Sequence, residues 1–451
     1  TVNWAPAAPR NKGRSDVPRE QSMVLVVDEL LLGDVSVQFY EHATGTRDAY
    51  ELTSATGSAR AGEPGKLDMT GAIRAHPFNL HLETSSLADF LAMAHARVEI
   101  GVSIAGTELS FLGYADALGQ GGEARMEMSA AGDQLASLNS LLGVDLPPLA
   151  DYSLEASFLA SPRRLELTDL AINVGQSHLQ GYALVDAKTQ PPVAQVKLKS
   201  EQVQLLDFDT GDWSPEGPVA EPGDAEVVKR KPLDPEVLKR FNASVEIEVA
   251  EVLSGEDFLG SGLLKGTLQD GRLSIDPLRL QTGRGSILLQ SSVKPGQQAS
   301  DGQLRVLVEQ FDFGPLVRLS QPDSEVGGIL NVDVDVSMAA RGFDRLLANA
   351  NGYFDVSGTP VNLDSGVVDL WAVNLLASVV ESSVKGEGNS KINCLLSRWE
   401  FKDGVMEARS LAVDTSRIRI CGKGEIDFRK QKFRLTATPK AKRPEFFSLA
   451  T

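Results

Sequence analysis

The sequence predicts a mainly β protein: an elongated, twisted series of antiparallel meanders joined by short amphipathic helices. Two observations carry this. Alternating apolar and polar runs bounded by Gly, Asp, Asn or Pro recur along the chain, as in "ARVEIGVSIAG", "NASVEIEVA" and "ILNVDVDVSMAA". In addition, one 24-residue pattern occurs three times without a gap, at Arg163–Asp186, Gly271–Lys294 and Gly404–Asp427. Repetition of one supersecondary unit marks a quasi-one-dimensional stack.

Each copy slips by one residue at the same place. Leu165 and Leu167 are followed by Leu170 and Ile172; Leu273 and Ile275 by Leu278 and Leu280; Met406 and Ala408 by Leu411 and Val413. A β-bulge at that point bends the strand and keeps its apolar set on one face, and Pro277 is tolerated there because a bulge residue need not donate to the ladder. Asp403-Gly404 supplies a tight turn before the third copy. The strand after it alternates, with Ile418, Ile420, Ile426 and Phe428 on one side and Arg417, Arg419, Lys423 and Glu425 on the other. Further hairpins are expected around Thr44–Thr46 and Arg429–Gln431. Each unit is thus a bent meander with an apolar and a charged face.

Several strands run into short apolar helical patches, among them one capped by Ser86 and the longest at Ser365–Glu381. One linker is evident, residues 207–240, with five prolines and an acidic first half. The expected organisation is a β segment over 1–206, this acidic Pro-rich linker over 207–240, and a second β segment over 241–451.

A net charge of −17 argues against nucleic acid, which requires basic surface. Cys394 and Cys421 are too few for a disulfide framework. They are expected two strands apart, opposite Val413 and Ala408 respectively, about 17 Å out of step along the strand, and therefore free. No apolar run reaches the length of a membrane span. The chain has no initiator Met and is expected to be an internal segment of a longer polypeptide.

Chemistry-bearing motifs are sparse. The five histidines, His42, His76, His81, His95 and His178, have no metal-ligand spacing, and "DFDTGD" (Asp207–Asp212) lacks the glycine and glutamate placement of a calcium loop. Asp333 and Asp335 share a strand face and could suggest a glycosidase pair, but the tryptophans Trp4, Trp213, Trp371 and Trp399 are scattered. The basic run Arg429–Arg443 reads either as the wet face of an edge strand or as a contact for anionic headgroups. No catalytic residue, metal or cofactor is expected. Alternation alone leaves open whether the apolar faces close as a sandwich, stack as a solenoid or line a groove.

From "NGYFDVSGTPVNLDSGVVDLWAVNLLASVV" to "INCLLSRWEFKDGVMEARSLAVDTSRIRICGKGEIDFRKQKFRLTATPKAK", the sequence resembles the C-terminal part of the AsmA family. The likeness rests on Asn393-Cys394, Asp403-Gly404-Val405, Asp414-Thr415 and Gly422-x-Gly424-x-Ile426-Asp427; "LGDVSVQFYEHATGT" and "LTDLAINVGQSHLQGYALVD" extend it upstream. The resemblance implies a taco-shaped β-groove in the Gram-negative periplasm, anchored to the inner membrane through a segment outside this chain. It implies phospholipid acyl chains as cargo between the inner and outer membranes, and no enzymatic activity. On that reading Leu165, Leu167, Ile172, Leu273, Ile275, Leu280, Ile287, Ile418, Ile420, Ile426, Phe428 and Leu435 line the groove, and Ile420→Asp should fold nearly normally while blocking transport. The alternative is a non-enzymatic scaffold that binds envelope protein partners through the acidic linker and free strand edges.

Overall fold

The computed structural model describes residues 27–41, 46–60, 63–85, 95–116, 122–142, 146–211, 238–296, 300–340, 347–363, 391–416 and 418–442. Most of these lie in 22 strands of a single sheet. The first eleven are β1 (Val27–Glu41), β2 (Thr46–Ala59), β3 (Gly65–Ile73), β4 (His76–Thr84), β5 (Ala96–Ile104), β6 (Thr107–Ala115), β7 (Ala124–Gln134), β8 (Ala150–Ser161), β9 (Arg164–Val174), β10 (Ser177–Asp186) and β11 (Val193–Gln204). The rest are β12 (Asn242–Ser254), β13 (Asp257–Gln269), β14 (Arg272–Gln281), β15 (Ser286–Lys294), β16 (Ser300–Asp312), β17 (Gly327–Ala340), β18 (Asn351–Val361), β19 (Ile392–Lys402), β20 (Val405–Thr415), β21 (Ile418–Asp427) and β22 (Lys432–Ala441). Each strand pairs with its neighbours in the chain; among the described residues β1 pairs only with β2 and β22 only with β21, so the sheet does not close. At a spacing of about 4.8 Å per strand, the sheet is roughly 100 Å long.

Every pairing is antiparallel except one. β11 and β12 run parallel, from Val193 opposite Asn242 to Gln204 opposite Leu253. The segments on either side of residues 207–240 therefore join edge to edge in one sheet. A parallel pair needs a connection that returns the chain to its starting end, which a two-residue turn cannot do.

The three repeat copies are three hairpins: β9–β10, β14–β15 and β20–β21. In each, the register shifts at the expected slip: between Leu167 and Leu170 against Ala183 and Gly181, between Ile275 and Leu278, and between Ala408 and Leu411. Asp169, at the first of these bulges, has φ +52°. Asp403 and Gly404 have φ +50° and +77°, the geometry of a type I′ turn. A Cβ on Gly404 would lie 2.0 Å from the Ala348 carbonyl oxygen, so the turn also requires glycine for close approach. The hairpin expected around Arg429–Gln431 joins β21 to β22, with Asp427 opposite Lys432; of the one expected around Thr44–Thr46, β1 and β2 pair antiparallel with Glu41 opposite Thr46, and residues 42–45 lie outside the described residues.

Cys394 and Cys421 are free and exposed. Their register differs from the expected one: Cys394 faces Asp414 and Cys421 faces Ala412, because the bulge in β20 shifts the ladder with β21. The two thiols are out of step by two residues rather than five. Two intervening strand spacings still hold them beyond disulfide reach.

The strand ends form two long rims. The upper rim carries the β3–β4, β9–β10, β12–β13, β14–β15 and β16–β17 connections; the lower carries β8–β9, β10–β11, β13–β14, β15–β16 and β21–β22. The described helical pieces all but one lie on the upper rim, as a 3-10 turn at Leu135–Leu138 continued by α1 (Asn139–Leu142), a 3-10 turn at Leu205–Phe208, and α2 (Gly314–Ser320). Each reaches back to an earlier turn. Arg74 in the β3–β4 turn donates to the Leu141 carbonyl at 2.8 Å. The Asp207 carboxylate accepts from Gln176 N at 2.9 Å and Ser177 Oγ at 2.6 Å in the β9–β10 turn. Arg318 on α2 makes a bidentate pair with Asp257 beside the β12–β13 turn, both contacts 2.8 Å; these hydrogen bonds hold the Asp257 carboxyl below its usual range. The helices expected after Ser86 and at Ser365–Glu381 lie outside the described residues.

Candidate functional site

Directly paired residues share a face of a sheet, so the register traces which side chains stand together. From one edge, Leu32 pairs with Ala55, then Met69, Leu80, Val102, Leu109, Ala130, Leu154, Ile172 and Leu179 follow in turn across β1–β10. On the far side of β11 the row continues from Leu198 through Ile247, Leu264, Leu278, Leu289, Val306, Val334, Phe354, Trp399 and Ala408. One aliphatic face therefore crosses the whole sheet. The bulges maintain it: without the extra residue, Leu165 and Leu167 would stand opposite to Leu170 and Ile172.

The residues expected to line a groove fall on this face. Leu165 pairs with Val185, Leu167 with Ala183 and Ile172 with Leu179 in the first copy. In the second, Leu273 pairs with Val293, Ile275 with Ser291, and Leu280 with Ile287. In the third, Ile420 pairs with Val413, Ile426 with Met406, and Leu435 with Gly424. Phe428 follows β21 and stacks on Phe401. Ile418 has the same strand parity as Ile420, its side chain lying outside the described set. Arg419, Lys423 and Glu425 are exposed on the other face, and Arg417 is not among the described residues.

No second layer covers this face among the described residues. Extensive strand–strand contact occurs only between sheet neighbours. The four clusters of buried residues, centred on Leu170 and Leu198, on Val413 and Ile420, on Val98, and on Val334 and Val336, all lie on the aliphatic face. Burial in this single sheet is therefore concentrated on one face. Yet the largest side chain under 2% exposed is Val98, and Leu165, Val185, Leu273, Leu278 and Phe433 stay around 40% exposed or more. A sealed sandwich would hide its Leu and Phe side chains completely. Burial is instead partial, worth less than the roughly 1.5–3 kcal/mol of a fully buried Leu or Ile side chain.

The opposite face is polar and tied by cross-strand ion pairs. Glu246 lies 3.2 Å from Lys197 and 3.1 Å from Lys265, and hydrogen bonds from the two lysines lower its carboxyl pKa. Arg398 engages Asp355 at 2.5–3.0 Å. Asp333 and Asp335, considered above as a carboxylate pair, both contact Arg305, at 3.0 and 3.3 Å, and the Tyr353 hydroxyl lies 2.6 Å from the same guanidinium. A hollow of about 830 Å³ opens on this side over β17–β20, but the Asp355, Arg398, Glu400 and Arg409 side chains lining it pair among themselves. Among the described residues no cluster of His, Cys, Asp and Glu is arranged to hold a metal ion, and no helix is long and apolar enough to cross a membrane.

Sequence reading missed the parts of the face outside the repeat: Met69, Leu80, Val102 and Leu154 in the first half, and Val334, Phe354 and Trp399 in the second. Alternation was present in each of these strands, but which residues of different strands face together depends on register.

No protein-family model matches the chain. A curated protein of Escherichia coli (strain K12), AsmA family protein YhjG, is 21% identical over 363 residues, covering 74% of this chain and 52% of that protein. The chain thus spans about half the length of the curated relative it matches. With three bulged repeats in one long, unclosed sheet, this likeness supports membership of the AsmA family.

Proposed function

We propose that the aliphatic face binds the acyl chains of phospholipids and conducts them along the sheet, as a periplasmic segment of a non-enzymatic Gram-negative envelope protein held to the inner membrane through a segment outside these residues. The observation that carries this reading is the face itself: continuous across the sheet and left partly exposed along its length. Each methylene withdrawn from water contributes about 0.8 kcal/mol, so Leu, Ile and Val bind tails without specific polar partners. The ion-paired outer face keeps the same sheet soluble.

The test is lipid loading of the purified chain, read by native mass spectrometry and by extraction of bound lipid. Phospholipid should copurify, and Leu278→Asp, at a site already 40% exposed, should lower the lipid bound per folded molecule at least severalfold. Absence of lipid from the wild-type chain, or equal loading of the variant, would overturn the proposal. Ile420 is unsuitable for this purpose: it is 5% exposed and packed against Ile392 and Val413, so the expectation that Ile420→Asp folds nearly normally does not hold.

A further inference from the structure

The two rims carry opposite charge over the middle of the sheet, β8 to β17. On the upper rim the exposed acidic residues include Asp209, Glu256, Asp312, Asp323 and Glu325. On the lower rim the exposed basic residues include Arg163, Lys188, Lys239, Arg240 and Lys294. The exceptions do not restore balance: Arg318 on the upper rim is engaged by Asp257, and Asp186 on the lower lies 3.7 Å from Arg164. Arg284 above, and Asp270 and Asp301 below, are isolated among the opposite sign.

Strands run from rim to rim, so a molecule with its tails on the aliphatic face presents its headgroup between the two rims. Low-dielectric walls bearing opposite charges set up a field across that opening. We infer, resting on the acyl-chain reading above, that the middle of the groove selects a two-chain phospholipid with a zwitterionic headgroup, its phosphate turned to the basic rim and its ammonium to the acidic one. An anionic headgroup gains at one rim and is repelled at the other, within a chain of net charge −17. A zwitterion aligned with the field gains at both.

The experiment offers the full 451-residue chain vesicles of equimolar phosphatidylethanolamine and phosphatidylglycerol with matched acyl chains, and measures the ratio bound. At low salt the zwitterion should be enriched about threefold, and the enrichment should fall as salt screens the rims. Reversing the acidic rim with Glu256→Lys, Asp323→Lys and Glu325→Lys should move the ratio toward phosphatidylglycerol. The same number of reversals on the polar face, Glu99→Lys, Glu155→Lys and Glu248→Lys, makes an equal net-charge change away from the rims and should keep the wild-type ratio. Bound lipid that mirrors the vesicle composition, or equal shifts in both triple variants, would overturn the rim inference while leaving the conduit standing. Failure of the wild-type chain to load either lipid would remove the conduit reading itself.

Discussion

The first and second repeat copies share a backbone plan but differ in how deeply their leucines are covered. In the first, Leu170 is 3% and Leu179 8% exposed, packed with Ala156 and Leu198. The second contains no buried hydrophobic residue, and its Leu273 and Leu278 are 41% and 40% exposed. The neighbouring strands account for much of the contrast. β9 stands beside β8, which supplies Leu154 and Ala156 to the shared face, and β10 beside β11, which supplies Leu198. Directly opposed residues are not the cause, since buried Leu170 pairs with Gly181 whereas exposed Leu273 and Leu278 pair with Leu268 and Leu264. The third copy resembles the first, with Leu411, Val413 and Ile420 all buried. An identical local pattern thus makes a packed floor in two places and an open one in a third.

Charge insertion should separate these regions most strongly. Ile420→Asp places an unpaired carboxylate among Ile392 and Val413 and should cost on the order of 4 kcal/mol. Leu278→Asp, in the open copy, should cost about 1 kcal/mol or less. Paired thermal melts check this, and equal losses would erase the distinction between packed and open floor. Truncation should give the same order at smaller size: about 3 kcal/mol for Leu170→Ala against about 1 kcal/mol for Leu273→Ala, measured by urea titration.

The bulges differ too. Asp169 holds φ +52°, whereas Arg409 in the third copy is not left-handed. Asp169→Val should therefore destabilise by about 1–2 kcal/mol, since a β-branched residue is strained there, while Arg409→Val should cost a few tenths.

The smallest expected difference is a dependence on pH. Asp414 stands at the repeat position held by Asn173 and Gln281 in the other copies. Hydrogen bonds from Lys442, Asn393 and Arg419 lower its pKa from 3.8 to about 2. A depressed carboxyl pKa stabilises the fold above the unfolded value, and that contribution is lost as pH falls from about 4 to about 2. Asp414→Asn, which installs the amide of the first copy, should flatten the stability profile in this window and leave its shape above pH 5 unaltered. A profile that retains its slope would assign the acid sensitivity to other carboxylates.

What the sequence by itself determined is local: strand alternation, the one-residue slips between Leu167 and Leu170, Ile275 and Leu278, and Ala408 and Leu411, the Asp403-Gly404 turn, and hence which residues within each hairpin share a face. These follow from a side-chain period of two and from turn chemistry, both written within a few residues. Tertiary structure alone decided what depends on distant pairing. It set Cys421 opposite Ala412, ran β11 and β12 in parallel across residues 207–240, left Leu273 open while covering Leu170, and gathered acidic and basic residues from separate turns onto opposite rims. Each of these is fixed by which strands lie side by side, and one sequence alternating along 22 strands carries no local mark of its neighbours.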